Sequence, residues 1–296
     1  MKKAVKYGEK DTFVGLKKHT HAERSRLIEN SIVPMLREEL GKNLIAIAAD
    51  GSYARHEDHE YSDLELMIFV RDNSNLSRGF SKIHDGMLIE GLFVTVEEYH
   101  KMINEPNKEW YIAGSDILLP ITNHAFVKQL KKYRVKRLNQ KCDRVALDMF
   151  NEIQESFGKL LNTINQKNRD NLFPVLADAV MCVLRLLAYT NRRPYKSLNS
   201  IMTEARTLKQ KPKGFDEFLN LVTQGKYGDL KVLKKSVRQL YLGIEHYFMK
   251  KNSGNIYDGD LSTIKRTTSS TPPHERVDTS PPVPPPLRGR IKGGGY

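Results

Sequence analysis

Ala46-Ile47-Ala48-Ala49-Asp50-Gly51-Ser52-Tyr53-Ala54-Arg55, answered by Tyr61-Ser62-Asp63-Leu64-Glu65, is the stretch on which the reading of this chain turns. An apolar run ends in a small polar turn, and a second strand-like run then opens on two carboxylates. Residues two apart on a strand point the same way, so Asp63 and Glu65 can share a divalent ion while Leu64 enters the core. Gly51 and Ser52 leave room for backbone N–H groups to approach a triphosphate, and Mg²⁺ favours a few carboxylate oxygens completed by substrate phosphate oxygens. That pattern suits nucleotidyl transfer. Two close carboxylates at the head of the apolar run 66–70 gain little without a counter-ion, so they are hard to read as structure alone.

Working outward, two structural regimes emerge. Thr20-His21-Ala22-Glu23 is a capping-box pattern that opens a helix reaching about Leu40, where Gly41 ends it. Strand-like runs follow at 44–49, 63–70 and 87–94, separated by polar loops. Beyond about residue 141 the apolar period becomes helical, with helices expected over 143–165, 171–191, 197–209, 214–224 and 228–250. The fold class is therefore α+β: a mixed sheet with helices over residues 1–140, then a helical bundle over 141–252. Residues 253–296 differ from both. Thr271-Pro272-Pro273, the Pro-rich run 281–286 and Gly293-Gly294-Gly295 carry too few apolar side chains to bury a core, and disorder is expected from about Ser262.

At 296 residues the chain can form two modest cores. No uninterrupted apolar run reaches the roughly 18 to 20 residues of a membrane span, and the polar N-terminus lacks a signal-peptide apolar region, so a cytoplasmic protein without a membrane partner is expected. Cys142 and Cys182 have no metal-ligand spacing and are expected to be reduced and inert. The net charge of +13 raises nucleic acid as a partner. Part of the excess lies in Lys128, Lys131, Lys132, Arg134, Lys136, Arg137 and Lys141, but Val127, Leu130, Val135 and Leu138 are interspersed, and the run reads better as a solvated amphipathic connector than as an RNA site.

A second polar stripe lies in the long helix that follows. Ala146, Met149, Phe150, Ile153, Phe157, Leu160, Leu161 and Ile164 share one face by helical spacing, while Asp148, Glu152, Glu155 and Lys159 gather on the other. Periodicity alone favours a solvated face with a Glu155–Lys159 ion pair worth a few tenths of a kcal/mol. The functional alternative makes Glu155 a general base for an acceptor hydroxyl and Lys159 a phosphate contact. Glu90 is equally two-sided, as either the polar member of an alternating strand or a third carboxylate, and Arg55 could be ordinary solvated charge.

The Gly51-Ser52 turn with Asp63 and Glu65 resembles the signature of the polymerase β nucleotidyltransferase superfamily. Over about residues 22–250 the chain is similar to the kanamycin nucleotidyltransferase family of 4′-type aminoglycoside adenylyltransferases. Ile89-Glu90, Leu118-Leu119-Pro120, the segment 151–159 and Met202-Thr203-Glu204-Ala205 fall in matching order. The resemblance implies a polymerase β-like N-terminal domain and a transfer from ATP or another NTP to a hydroxyl of a small molecule. It assigns Asp63 and Glu65 to Mg²⁺, and Gly51, Ser52, Arg55, Ser62 and Lys159 to the nucleotide. It places Glu90 and Glu152 by the acceptor, makes Glu155 the general base, and implies a homodimer, because two subunits of the family build each active site. Two positions where family members carry extra carboxylates are Ser81 and Asn151 here, which weakens the attraction for a polycationic acceptor. A lincosamide or another hydroxylated molecule, or a nucleotide-binding regulatory module without catalysis, are the alternatives.

Overall fold

The computed structural model describes residues 15–113, 117–130 and 135–252. The N-terminal residues 1–14, part of the basic run (Lys131, Lys132 and Arg134) and the Pro-rich segment 253–296 lie outside them. The described residues as far as Lys251 form one compact unit.

Its first helix begins where the capping box puts it. Thr20 accepts from the Glu23 N–H, and the Glu23 carboxylate accepts from the Thr20 N–H. Helix α1 (His21–Leu27) runs through a π-helical turn at Ile28–Ile32 into α2 (Val33–Leu40), which stops at Gly41 with φ +50°. Strand β1 (Leu44–Ala49) leads into the short helix α3 (Gly51–Ala54), and β2 (Leu64–Val70), β3 (Gly79–His84) and β4 (Met87–Val94) follow. Helix α4 (Val96–Asn104), the single turn α5 (Trp110–Ala113), the two-residue strand β5 (Leu119–Pro120) and α6 (His124–Leu130) complete this part.

The five strands form one mixed sheet in the order β3-β4-β2-β1-β5, parallel only between β2 and β4. Burial on both sides explains why the central strands read as nearly continuous apolar runs. Ile47, Leu66 and Ile68 pack beneath Ile28, Ile32 and Leu36 of the first helix. Their neighbours in the alternation, Ala46, Ala48, Met67 and Phe69, meet Val127 and Leu130 on the opposite face. The sequence reading overlooked β3. Its side chains are half or fully exposed, so no hydrophobic alternation marks it. Asp63 proves to lie just ahead of β2 rather than within it.

The helical part comprises α7 (Leu138–Asn165), α8 (Leu172–Asn191), α9 (Ile201–Thr207), α10 (Phe215–Thr223) and α11 (Leu230–Asn252). The apolar stripe expected on α7 is the face that is buried, Leu161 alone remaining half exposed. The helix starts five residues ahead of the expected 143, after Arg137 in a left-handed conformation. Helix α8 is long and apolar enough to cross a membrane, contrary to the expectation that nothing in the chain is. Asp178 and Arg185 interrupt it, so a search for uninterrupted apolar runs misses it, and most of it is buried against its neighbours in the bundle. Cys142 and Cys182 are buried and are not joined in a disulfide.

Candidate active site

The turn after β1 is built by Asp50, which caps α3 and accepts from the Gly51 N–H at 2.7 Å. Gly51 has φ +63°, and a Cβ there would stand 1.7 Å from Glu65 Oε2. Only glycine allows the turn to lie against the β2 carboxylate. Glu65 faces Glu90 across the parallel β2–β4 pairing, and Asp63 stands two residues earlier on the same side. Asp63, Glu65 and Glu90 each offer an oxygen within 4.8 Å of the others.

Such a cluster is electrostatically expensive. Burial, followed by repulsion from Asp63, Asp50 and Glu90, pushes the Glu65 carboxyl up from 4.5 to about 7. Asp50 is also raised, chiefly by burial. The adjacent cation, Arg55, offsets part of this field, and its Nε donates to Glu57 Oε2 at 3.1 Å. Three carboxylates with clustered oxygens and too little positive charge around them are the donor set that a hard divalent cation fits.

The loop that delivers Ser62 and Asp63 is held from beneath by Arg24, whose side chain is fully buried. Its guanidinium donates to Asp58 Oδ2 and to the carbonyls of His19, His59 and Ser62, at 2.7 to 3.1 Å. The Ser62 hydroxyl accepts from the His59 N–H. His21 Nδ1 lies 2.7 Å from Asp58 Oδ1 and the ring stacks on Tyr53, fastening α1 to α3.

Gly51, Ser52, Arg55, Ser62, Asp63 and Glu65 all line one cavity of about 1250 Å³ between the sheet and the segment from α8 to α9. Its far wall carries Arg193, Lys196, Ser200, Thr203 and Glu204. Lys196 Nζ reaches Glu57 Oε1 at 3.2 Å, and Glu204 is engaged by the Ser200 hydroxyl at 2.5 Å. Sequence reasoning gave this wall no role, although Thr203 and Glu204 stand in one of the segments that carry the resemblance. Arg24 and Asp50 were also passed over. Asp50 directly precedes Gly51, and that adjacency was the available signal.

Glu152, Glu155 and Lys159 are not among the residues lining this cavity. They stand on the outer face of α7, where Glu155 Oε1 pairs with Lys159 Nζ at 2.7 Å and both side chains are more than 60% exposed. Glu152 pairs with Lys108. Ser81 faces Glu90 across the β3–β4 pairing, while Asn151 is exposed on α7.

Comparison with known proteins agrees in both parts of the chain. Residues 124–253 match the family model of the KNTase C-terminal domain. An aminoglycoside nucleotidyltransferase (4′) of Staphylococcus aureus is 22% identical over 233 residues, covering 77% of this chain and 91% of the relative. One of a Bacillus species is 23% identical over the same coverage. A nucleotidyltransferase-like protein from Exiguobacterium sibiricum aligns in structure over 77% of this chain and 75% of its own, with 13% identity and a TM-score of 0.43. The chain is thus similar over residues 124–253 to the KNTase C-terminal domain and, along most of its length, to these two aminoglycoside nucleotidyltransferases.

Proposed function

We propose that this protein is an Mg²⁺-dependent nucleotidyltransferase that moves a nucleoside monophosphate from ATP, or another NTP, onto a hydroxyl of a small molecule of the aminoglycoside type. The observation that carries the reading is the carboxylate trio of Asp63, Glu65 and Glu90 set against the Gly51–Ser52 turn. Asp63 and Glu65 would hold Mg²⁺, with Glu90 beside them on the acceptor side. When bound, the metal supplies positive charge to the phosphate under attack and to the departing pyrophosphate. The Gly51 turn, Ser52 and Ser62 orient the triphosphate by hydrogen bonds, and Arg55 adds a fixed cation close to it.

Glu155 is proposed to take the acceptor proton, with Lys159 steadying the phosphate and Glu152 contacting the acceptor. Because these three do not line the cavity of their own chain, the proposal requires a homodimer in which a second copy presents its α7 to the trio. The cationic wall formed by Arg193 and Lys196 favours a second reading of the acceptor as a less highly charged hydroxylated molecule, such as a lincosamide.

The test is incubation with Mg²⁺, each of the four NTPs and a panel of aminoglycosides and lincosamides, followed by mass spectrometry for the nucleoside monophosphate adduct. An adduct that vanishes on chelation of the metal supports the reading. Absence of any adduct, with pyrophosphate release also absent, removes it.

A further inference from the structure

A second cavity, of about 1300 Å³, lies in the helical part, along α11 and the turn that joins α9 to α10. Among the described residues, eight lysines and arginines line it and no aspartate or glutamate does. Three of these cations are already engaged: Arg192 with Asp143, Lys211 with Asp216 and Lys234 with Asn165. The other five, Lys213, Lys231, Lys235, Arg238 and Lys250, have no carboxylate partner among the described residues. Four of them follow one another along α11, and from Lys231 to Lys250 the helix rises by about 29 Å.

The cleft is built rather than incidental. A Cβ on Gly243 would stand 2.2 Å from the Lys213 carbonyl oxygen, so glycine is what lets the 210–213 backbone seat on α11 and form the second wall. Gly214, with φ +90°, turns the chain away into α10. Leu242, 61% exposed, and Tyr247 add apolar and aromatic surface between the cations.

We propose that this cleft binds a strand of single-stranded nucleic acid, through its phosphates, independently of the transfer site. A concentrated row of unneutralised cations repels itself, and a polyanion removes that repulsion while releasing counterions. The length of the row selects a polymer, since a free phosphate or a mononucleotide would meet only one or two of its cations. Its concavity selects a strand over a bilayer, which cannot enter a cleft and would find only Leu242 as a large exposed apolar side chain on α11 within it. A second copy of the same face would bring like charges together. Leu242 and Tyr247 are suited to lie against bases with little sequence preference.

The experiment is fluorescence anisotropy of a labelled 20-nucleotide oligouridylate with the full chain, in the absence of nucleotide and Mg²⁺, so that its outcome is separate from that of the transfer reaction. If five phosphates are neutralised, affinity falls roughly 100-fold between 50 and 200 mM salt. The variant K231E/K235E/R238E loses at least tenfold in affinity, whereas K42E/K82E/K101E, which lowers the net charge equally on the other part of the chain, loses less than threefold. Should the first variant fail to fold, photo-crosslinking of a 4-thiouridine oligomer to the unaltered chain decides the matter, with crosslinks expected in α11 and the 210–213 turn. Absent binding at 50 mM salt, equal losses in the two variants, or crosslinks confined to other segments would overturn the proposal. So would capture by phosphatidylserine vesicles that depends on the three α11 cations while the oligonucleotide is ignored.

Discussion

The carboxylates of the sheet and those of α7 sit in opposite electrostatic circumstances. Asp63, Glu65 and Glu90 are crowded together beside a half-buried Asp50, and burial, followed by that crowding, raises Glu65 to about 7. Glu155 stands in water beside its own lysine. The first arrangement costs folding free energy and calls for a ligand to explain it. The second is locally self-sufficient, and only the similarity to known transferases and the proposed second subunit would give it a reason beyond solvation. Local strain therefore marks the proposed metal end of the site and is silent about the proposed base.

The largest expected effect breaks the comparison at the strained end. Asp63→Asn and Glu65→Gln each remove charge from the proposed metal-binding group while keeping side-chain shape, and each is expected to lower turnover by about 10³-fold or more, since metal charge stabilisation is worth several kcal/mol. Circular dichroism and melting temperature should show the fold intact. Near-parent turnover with Mg²⁺ present in either variant would end the metal-site reading.

Next in size is Glu155→Gln, which keeps shape and polarity but cannot accept a proton. General-base catalysis predicts a single-turnover loss of about 10²- to 10⁴-fold, with the acidic limb of the pH profile altered. If Glu155 is only half of an exposed pair, the loss stays within threefold, and stability changes by a few tenths of a kcal/mol. The comparison sharpens further when the Asp63→Asn and Glu155→Gln proteins are mixed after subunit exchange. A site shared between subunits regains about one quarter of parent activity, because half of randomly exchanged dimers are heterodimers with one intact site. No recovery on mixing would place base and metal in one chain, against the proposed dimer.

What the sequence made legible follows the same division. The turn at Gly51, the carboxylates at 63 and 65 and the capping box at Thr20 are short patterns with their own local physics, and the structure reproduces the turn and the cap and brings the two carboxylates together, although Asp63 stands just ahead of β2. The apolar face of α7 was legible for a similar reason, because a 3.6-residue period repeats over about five turns from Ala146 to Ile164. Strand β3 and the cavity's far wall were not, since an exposed edge strand carries no alternation and Arg193, Lys196 and Glu204 join the site only through tertiary packing. The basic cleft was hidden in the same way. Its cations are spread from 192 to 250, whereas sequence inspection found the contiguous run from 128 to 141.

A third effect, smaller in free energy, tests why the turn is glycine. Gly51→Ala would place a methyl group against Glu65 Oε2 and force φ +63° on an L side chain, so a loss of about 1 to 3 kcal/mol is expected from strain at a special backbone position, together with impaired transfer as Glu65 is displaced. Chemical denaturation and turnover should change together. Gly228→Ala is the control, because a Cβ there meets nothing within 4 Å and the structure gives it no site to disturb.

The smallest effect concerns the strain itself, in metal-free protein. The folded-state Glu65 pKa lies above the 4.5 of an ordinary glutamate, so the native state binds this proton more tightly than the unfolded chain does. The destabilisation is thus fully present above about pH 7, fades as pH falls through that value, and is gone below about 4.5. A shift from 4.5 to about 7 has an upper bound near 3 kcal/mol, and access of the carboxyl to the open cavity brings the expected penalty to about 1 to 2 kcal/mol. Glu65→Gln should therefore stabilise the apo protein at pH 8 by that amount and give only a small fraction of that gain at pH 5. Mg²⁺ should reverse the order at pH 8, because it stabilises the parent by binding its native state and has lost a ligand in the variant. Melting curves at the two pH values, with and without Mg²⁺, measure both signs; a variant no more stable than the parent at pH 8 would mean that Arg55 already neutralises the cluster, and that the sheet carboxylates are no more in need of a cation than the exposed pair on α7.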